Sequence, residues 1–279
     1  MGNNKTKRSG SFEALDPNKP IFKKIKEQKW WKLFLEDKKL YIEIRKDNYI
    51  DVYYYGGCLA KITYNEIKKK FIAKIHPKFK GLEGIRPVSL DLEKLDEKEI
   101  EEIKERIEIV YLKENKEEKI LKEKRIQGEM ILKYSKYIDS EFQYNKNKNS
   151  RIDLIELSDK KLSFVELKLI DDDRLNDKHK KNITKQMENY SNLINENKDK
   201  IIDYYKKIIK LKNDLGIYKR EGFTDFTPNE RPKLIIVNTY GEKLTPKRKN
   251  RIQKIKIILE KLKKDIIDSD SDIIPLEQI

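Results

Sequence analysis

The sequence predicts an α/β (α+β) protein in which a mixed sheet flanked by helices follows a small antiparallel β-rich module. Three observations carry that expectation. Between Trp30 and about Phe79, short runs of aromatic and β-branched residues alternate with turn residues. From Leu95 to Lys133 the chain is rich in Glu, Lys, Ile and Leu, with no proline and no glycine before Gly128, as a helix requires. Beyond Lys133, strand-like and helix-like periodicities alternate, which is the pattern of a layered α/β arrangement.

Taken in order, residues 1–19 are polar and read as a flexible arm. Within the module spanning 20–90, strands are expected at Leu40–Arg45, Tyr49–Tyr55, Cys58–Tyr64 and Phe71–His76, separated by Lys46-Asp47-Asn48 and by Gly56-Gly57. Trp30-Trp31 should anchor its core. Tyr41, Tyr49, Tyr53, Tyr54 and Tyr55 alternate with Lys and Arg; they could stack bases, although filling a strand core is the simpler account. Gly81–Pro87 breaks the pattern, and a boundary is expected between 81 and 95. The remainder, 91–279, carries the long helix ending near Lys133, strands at Tyr137–Tyr144, Arg151–Leu157 and Leu162–Leu169, a helix at Asn182–Leu215, a strand at Lys233–Thr239 and a helix from Pro246 to Lys264.

Composition narrows the function classes. With 37% hydrophobic and 41% charged residues, 10 Gly and 8 Pro, the 279-residue chain is neither collagen-like nor a Gly/Pro-rich disordered polymer. Lys and Arg number 64 against 49 Asp and Glu, and the formal charge of +15 favours a polyanionic partner, nucleic acid or an anionic membrane surface. The abundance of Lys, Asn and Ile suggests an AT-rich genome, so part of that charge is compositional. One cysteine, Cys58, cannot form an internal disulfide, and no apolar stretch is long enough to span a bilayer. A cytoplasmic protein with no membrane span is expected. Met1-Gly2 with Thr6 fits a short acylation pattern, beside the simpler reading of a solvated tail.

The chemistry sits in Arg151–Leu169. A hairpin centred between Asp159 and Lys160 sets Leu157 opposite Leu162, Ile155 opposite Phe164, Leu154 opposite Val165 and Ile152 opposite Leu167. The same register sets Asp153 opposite Glu166. Two opposed carboxylates repel, and a divalent cation held by both would offset the repulsion. Lys168 follows on the same face as Glu166, where it could orient a water or help to deprotonate it. His76 and His179 lack partners at metal-ligand spacing and are assigned neither to zinc nor to a catalytic triad.

Asp153 with Glu166-Leu167-Lys168 resembles the signature of the PD-(D/E)XK, or restriction-endonuclease-like, nuclease superfamily. Gln186-Met-Glu-Asn-Tyr190 on the following helix resembles the glutamine and tyrosine of some of its branches. The resemblance covers roughly residues 115–260. It implies a restriction-endonuclease-like sheet and a Mg²⁺- or Mn²⁺-dependent nuclease acting on DNA, RNA not being excluded, in restriction, defence or repair. Asp153, Glu166 and the carbonyl of Leu167 would hold the metal, and Lys168 would position the attacking water. A helix glutamate would be an outer or additional ligand, either Glu123 or Glu129. Glu123 is preferred because it shares a face with Ile126, Gln127 and Met130. Gln186, Tyr190, Arg174 and Lys178 would contact the nucleic acid, and a homodimer would suit cutting both strands. The alternative is a non-catalytic nucleic-acid-binding protein on the same scaffold.

Overall fold

The computed structural model describes residues 12–112, 118–143, 151–176, 179, 182–218, 225–241 and 244–279, without the side chains of 13, 111–112 and 118–122. Two short helices, α1 (Pro20–Lys24) and α2 (Lys29–Glu36), precede strands β1 (Tyr41–Arg45), β2 (Tyr49–Tyr54), β3 (Gly57–Asn65), β4 (Lys70–Ile75) and β5 (Val88–Leu90). These strands form one antiparallel sheet in sequential order, the first four as the turn spacing predicts, while β5 extends the sheet within the stretch read as a boundary. Asn48 and Gly56, both at positive φ, lie where the strand direction reverses.

Helices α3 (Glu97–Leu112) and α4 (Glu118–Lys133) occupy the stretch read as one long helix, with 113–117 outside the described residues. Strands β6 (Tyr137–Gln143), β7 (Arg151–Ser158) and β8 (Lys161–Leu169) follow. Then come α5 (Ile183–Glu196), α6 (Lys198–Asp214), a two-residue β9 (Thr227–Pro228), β10 (Lys233–Asn238), α7 (Pro246–Asp265) and β11 (Asp272–Pro275). The second sheet runs β11-β10-β8-β7-β6, with β9 beside β8. It is mixed: β6, β7 and β8 pair antiparallel, whereas β10 pairs parallel with both β8 and β11. The α5–α6 pair provides the long connection that two parallel strands need.

Two expectations change. The helix read as continuous over Asn182–Leu215 is broken at Asn197, whose side-chain amide donates to the Leu193 carbonyl at 2.8 Å. Asparagine competes with the helical backbone in this way, and Asn197 alone separates α5 from α6. The polar arm, moreover, is packed from Phe12 onward. Phe12 stacks on Phe142 at 5.2 Å between ring centroids, and Leu15 is 1% exposed. Two apolar side chains suffice to anchor a stretch whose average composition reads as solvated.

Alternation along β8 divides the second sheet between two layers. Leu162 and Phe164 join a cluster with α5, α6 and the first sheet, while Val165, Leu167 and Leu169 pack with Ile126 and Met130 of α4. Between the two sheets lies a buried polar seam. Arg45 bonds Asp51, Asp139, Tyr53 and the Ser140 carbonyl, and Lys212 bonds Glu43 at 2.5 Å and the Ile138 carbonyl at 2.8 Å. Buried charges survive only when paired in this way. The molecule is mixed α/β, and no helix among the described residues is long and apolar enough to cross a membrane.

Candidate functional site

The hairpin forms in the predicted register: Leu154 pairs with Val165, Ile155 with Phe164 and Leu157 with Leu162. Asp159 and Lys160 form its two-residue turn, both in the left-handed region that such hairpins demand. The recorded ladder stops at Leu154–Val165, one position before Asp153 and Glu166. There the Asp153 carboxylate accepts the Leu167 N–H at 2.9 Å, and the side chain takes the place of a strand neighbour.

Lys168 is the centre of the site. Its side chain is 1% exposed, and its ammonium pairs directly with Glu166, lies 3.6 Å from Asp153 Oδ2 and 3.7 Å from Glu123 Oε1, and donates to the Leu167 carbonyl at 2.5 Å. Three carboxylates from α4, β7 and β8 thus converge on one cation. Part of the positive charge that the opposed acids call for is therefore supplied by Lys168 itself.

The surrounding residues hold this cluster in shape. Tyr190 of α5 is buried, and its hydroxyl shares its one proton between Glu166 Oε2 at 2.8 Å and the Arg151 carbonyl, while Gln186 donates to the Tyr190 oxygen at 2.9 Å. Both residues of the Gln/Tyr pair therefore face the site, the tyrosine through the acid rather than by packing alone. Arg174 reaches Glu123 at 3.9 Å and is itself fixed by Asp172 at 2.7 and 3.1 Å. Glu129 instead pairs with Arg125 on α4, so Glu123 is the helix acid near Lys168. Lys178 lies outside the described residues.

Burial and like charge shape the titration of the cluster. Burial first, then the neighbouring Glu166, pushes the Asp153 carboxyl up to about 7. Burial also lifts Glu123 to about 7, against the attraction of Lys168. Burial opposes the charge of Lys168, but Glu166, Asp153 and Glu123 outweigh it and raise its pKa, so the ammonium persists at neutral pH. Four carboxylates (Glu123, Asp153, Glu166, Asp172) face two cations (Lys168, Arg174), a formal balance of 2 − 4 = −2. A divalent cation would neutralise that balance, and every ligand group offered is a hard oxygen. Asp153 and Glu123 keep 18% and 19% of their side-chain surface exposed, which leaves them reachable. Among the described residues, however, no three His, Cys, Asp or Glu side chains already stand at ion-holding spacing.

Sequence reasoning missed two residues here. Gln127, 4% exposed, donates to the main-chain carbonyl of Asp153 and ties α4 to β7. Its signal was its place four residues after Glu123, hence on the same helical face. Asp172, the partner of Arg174, was signalled only by the acid-x-Arg spacing after β8. The position of α4 is set from its other side by the first sheet. A Cβ on Gly128 would lie 3.1 Å from the Tyr41 ring, and one on Gly56 would lie 2.8 Å from the Lys124 carbonyl oxygen, next to Glu123. No family model, curated protein or solved structure matches this chain.

Proposed function

We propose that the chain is a metal-dependent nuclease that hydrolyses phosphodiester bonds, with DNA as its preferred substrate and Mg²⁺ or Mn²⁺ as its cofactor. Its second sheet would then be a restriction-endonuclease-like one. Restriction, defence and repair are the settings that fit. One observation carries the reading: Glu123, Asp153 and Glu166, brought from separate elements, meet at Lys168 with a formal excess of two negative charges.

Asp153, Glu166 and the Leu167 carbonyl would hold the cation, with Glu123 as an outer or additional ligand. When bound, the cation supplies Lewis acidity and neutralises charge at the phosphate. Lys168, kept charged by its acids, acts as a donor: it orients the attacking water and stabilises negative charge as it develops on the phosphate. A protonated lysine is a poor base, so the proton from water goes to a carboxylate. Glu123, as an outer ligand, would suit that role, since its carboxylate keeps 19% of its side-chain surface exposed and lies 3.7 Å from the Lys168 ammonium that would orient the water. Tyr190 and Gln186 fix the Glu166 carboxylate.

A second reading, a non-catalytic nucleic-acid-binding protein, is favoured by the absence of a ready-spaced ligand trio among the described residues. Incubation with linear, circular and single-stranded DNA and with RNA, with and without Mg²⁺ or Mn²⁺, separates the two. The nuclease reading expects metal-dependent cleavage that Lys168→Ala abolishes while binding stays nearly intact. Unchanged cleavage by that variant would falsify the role given to Lys168, and binding without cleavage under any metal supports the second reading.

A further inference from the structure

Outside the acid cluster, an open cavity of about 690 Å³ lies between the segment leaving β8 and helix α7, lined by Asp173, Asn176, His179, Arg251, Lys254, Ile257 and Ile258. Helix α7 carries nine Lys and Arg against two acids over its 20 residues, 9 − 2 = +7. Ile255, Leu259 and Leu262 are buried, with Ile252 and Ile258 half-buried against the core beside them, while Lys247, Lys249, Lys254 and Lys256 are exposed. Lys247, Lys249, Lys254 and Lys256 have no carboxylate partner among the described residues. Unpaired cations along one exposed helix favour an anionic ligand.

The cavity adjoins the acid cluster through bonded contacts. Arg251 donates to the carbonyls of Ile170 at 3.0 Å and Asp172 at 2.8 Å and to Asn176 at 3.0 Å. Asp172 in turn holds Arg174, which meets Glu123. Lys247, Arg251 and Lys254 lie at helical spacings of four and three, so they share one stripe that continues into Ile257 and Ile258. From Lys247 to Lys254 the helix rises about 10 Å, close to three nucleotide steps of one strand at about 3.4 Å each. Ile257, 62% exposed, offers an apolar surface in the same cavity.

We infer that the α7 face bearing Lys247, Arg251 and Lys254, with the cavity beside it, is the docking surface for the sugar-phosphate backbone of a nucleic-acid strand, leading that strand to the acid cluster. The inference rests on the proposed function for the strand's destination, but the surface is tested without cleavage. The exposed lysines supply counterion release, and Arg251, fixed by three acceptors, sets the strand's height above the segment leaving β8. Asp173, the one carboxylate lining the cavity among the described residues, would repel a strand that strays too deep.

The experiment measures fluorescence anisotropy of labelled duplex DNA, single-stranded DNA and RNA in EDTA, across a salt series, for the full chain and two double variants. Lys247→Glu with Lys254→Glu reverses the stripe; Lys261→Glu with Lys264→Glu makes the same charge change at the far end of α7. The stripe variant is expected to weaken binding by about tenfold or more near 0.1 M salt, and to lower the slope of log K against log salt by about two. The far-end variant should bind as the parent does. Equal losses in both variants, no loss in either, no nucleic-acid binding by the parent, or preference for vesicles of anionic phospholipid over all three nucleic acids overturns the surface. Binding lost only in the stripe variant, in a parent that never cleaves with Mg²⁺ or Mn²⁺, upholds the surface and sinks the nuclease reading. Cleavage that survives with unchanged affinity in the stripe variant does the reverse.

Discussion

Lys168 and Glu166 are each about 1% exposed, and burial at that level makes each depend on the other. Removing one member of a buried pair leaves an uncompensated charge, which costs about 3–5 kcal/mol. Lys168→Met should therefore lower unfolding free energy by about that much, whereas Lys168→Met combined with Glu166→Gln should recover most of it, as urea denaturation would show. Additive losses would mean the two side chains are not coupled. Tyr190→Phe removes the hydroxyl that serves Glu166 and should cost about 1–2 kcal/mol while slowing cleavage more than it weakens nucleic-acid binding; equal effects on both would point to a packing role alone. At this scale the acids and lysine of the hairpin were legible, because a period of two places them on one face. Gln127 and Asp172 were not, since each acts through a main-chain or ion-pair contact that only the folded backbone creates.

Helix α4 brings Glu123 to the sheet, and its height is set by the first sheet rather than by its own sequence. Gly56, at φ 79°, faces the Lys124 backbone so closely that any side chain must push the helix away. Gly84 is also at positive φ, 112°, yet nothing lies within 4 Å of where its Cβ would be. Gly56→Ala should thus cost about 2 kcal/mol or more and also weaken divalent-cation binding, whereas Gly84→Ala should leave the cation affinity unchanged. Equal cation affinity in both variants would show that α4 does not depend on this contact. The hairpin of β7 and β8 could be read because apolar partners coincide only in one register. The break at Asn197 could not, since an asparagine inside a helical period is equally compatible with a wet surface position. Strand β11 was missed for a related reason: it is four residues long, half-buried at the sheet edge, and follows α7 with too little pattern to register.

Across the whole molecule, the two sheets share one hydrophobic cluster and a buried charged seam, and the seam and the acid cluster each gather several buried charges inside a strongly basic protein. Asp139 in the seam is lifted to about 7 by burial and then by Glu43, alongside Asp153 and Glu123 in the candidate site. Each of these acids binds its proton more tightly folded than unfolded. Their contribution to stability is therefore lost as pH rises from the ordinary carboxylate range through about 7. In EDTA, Tm should fall across that window. Added Mg²⁺ should flatten the part due to Asp153 and Glu123, leaving the part due to Asp139; identical pH slopes with and without metal would contradict the proposed ion site. The central claim is that the acids around Lys168 accept a divalent cation, and calorimetric titration of Mn²⁺ into the parent and Asp153→Asn above pH 7 tests it most directly. The account predicts saturable binding in the parent that Asp153→Asn greatly weakens. Binding that is equal in the two proteins, or missing from the parent, would contradict it.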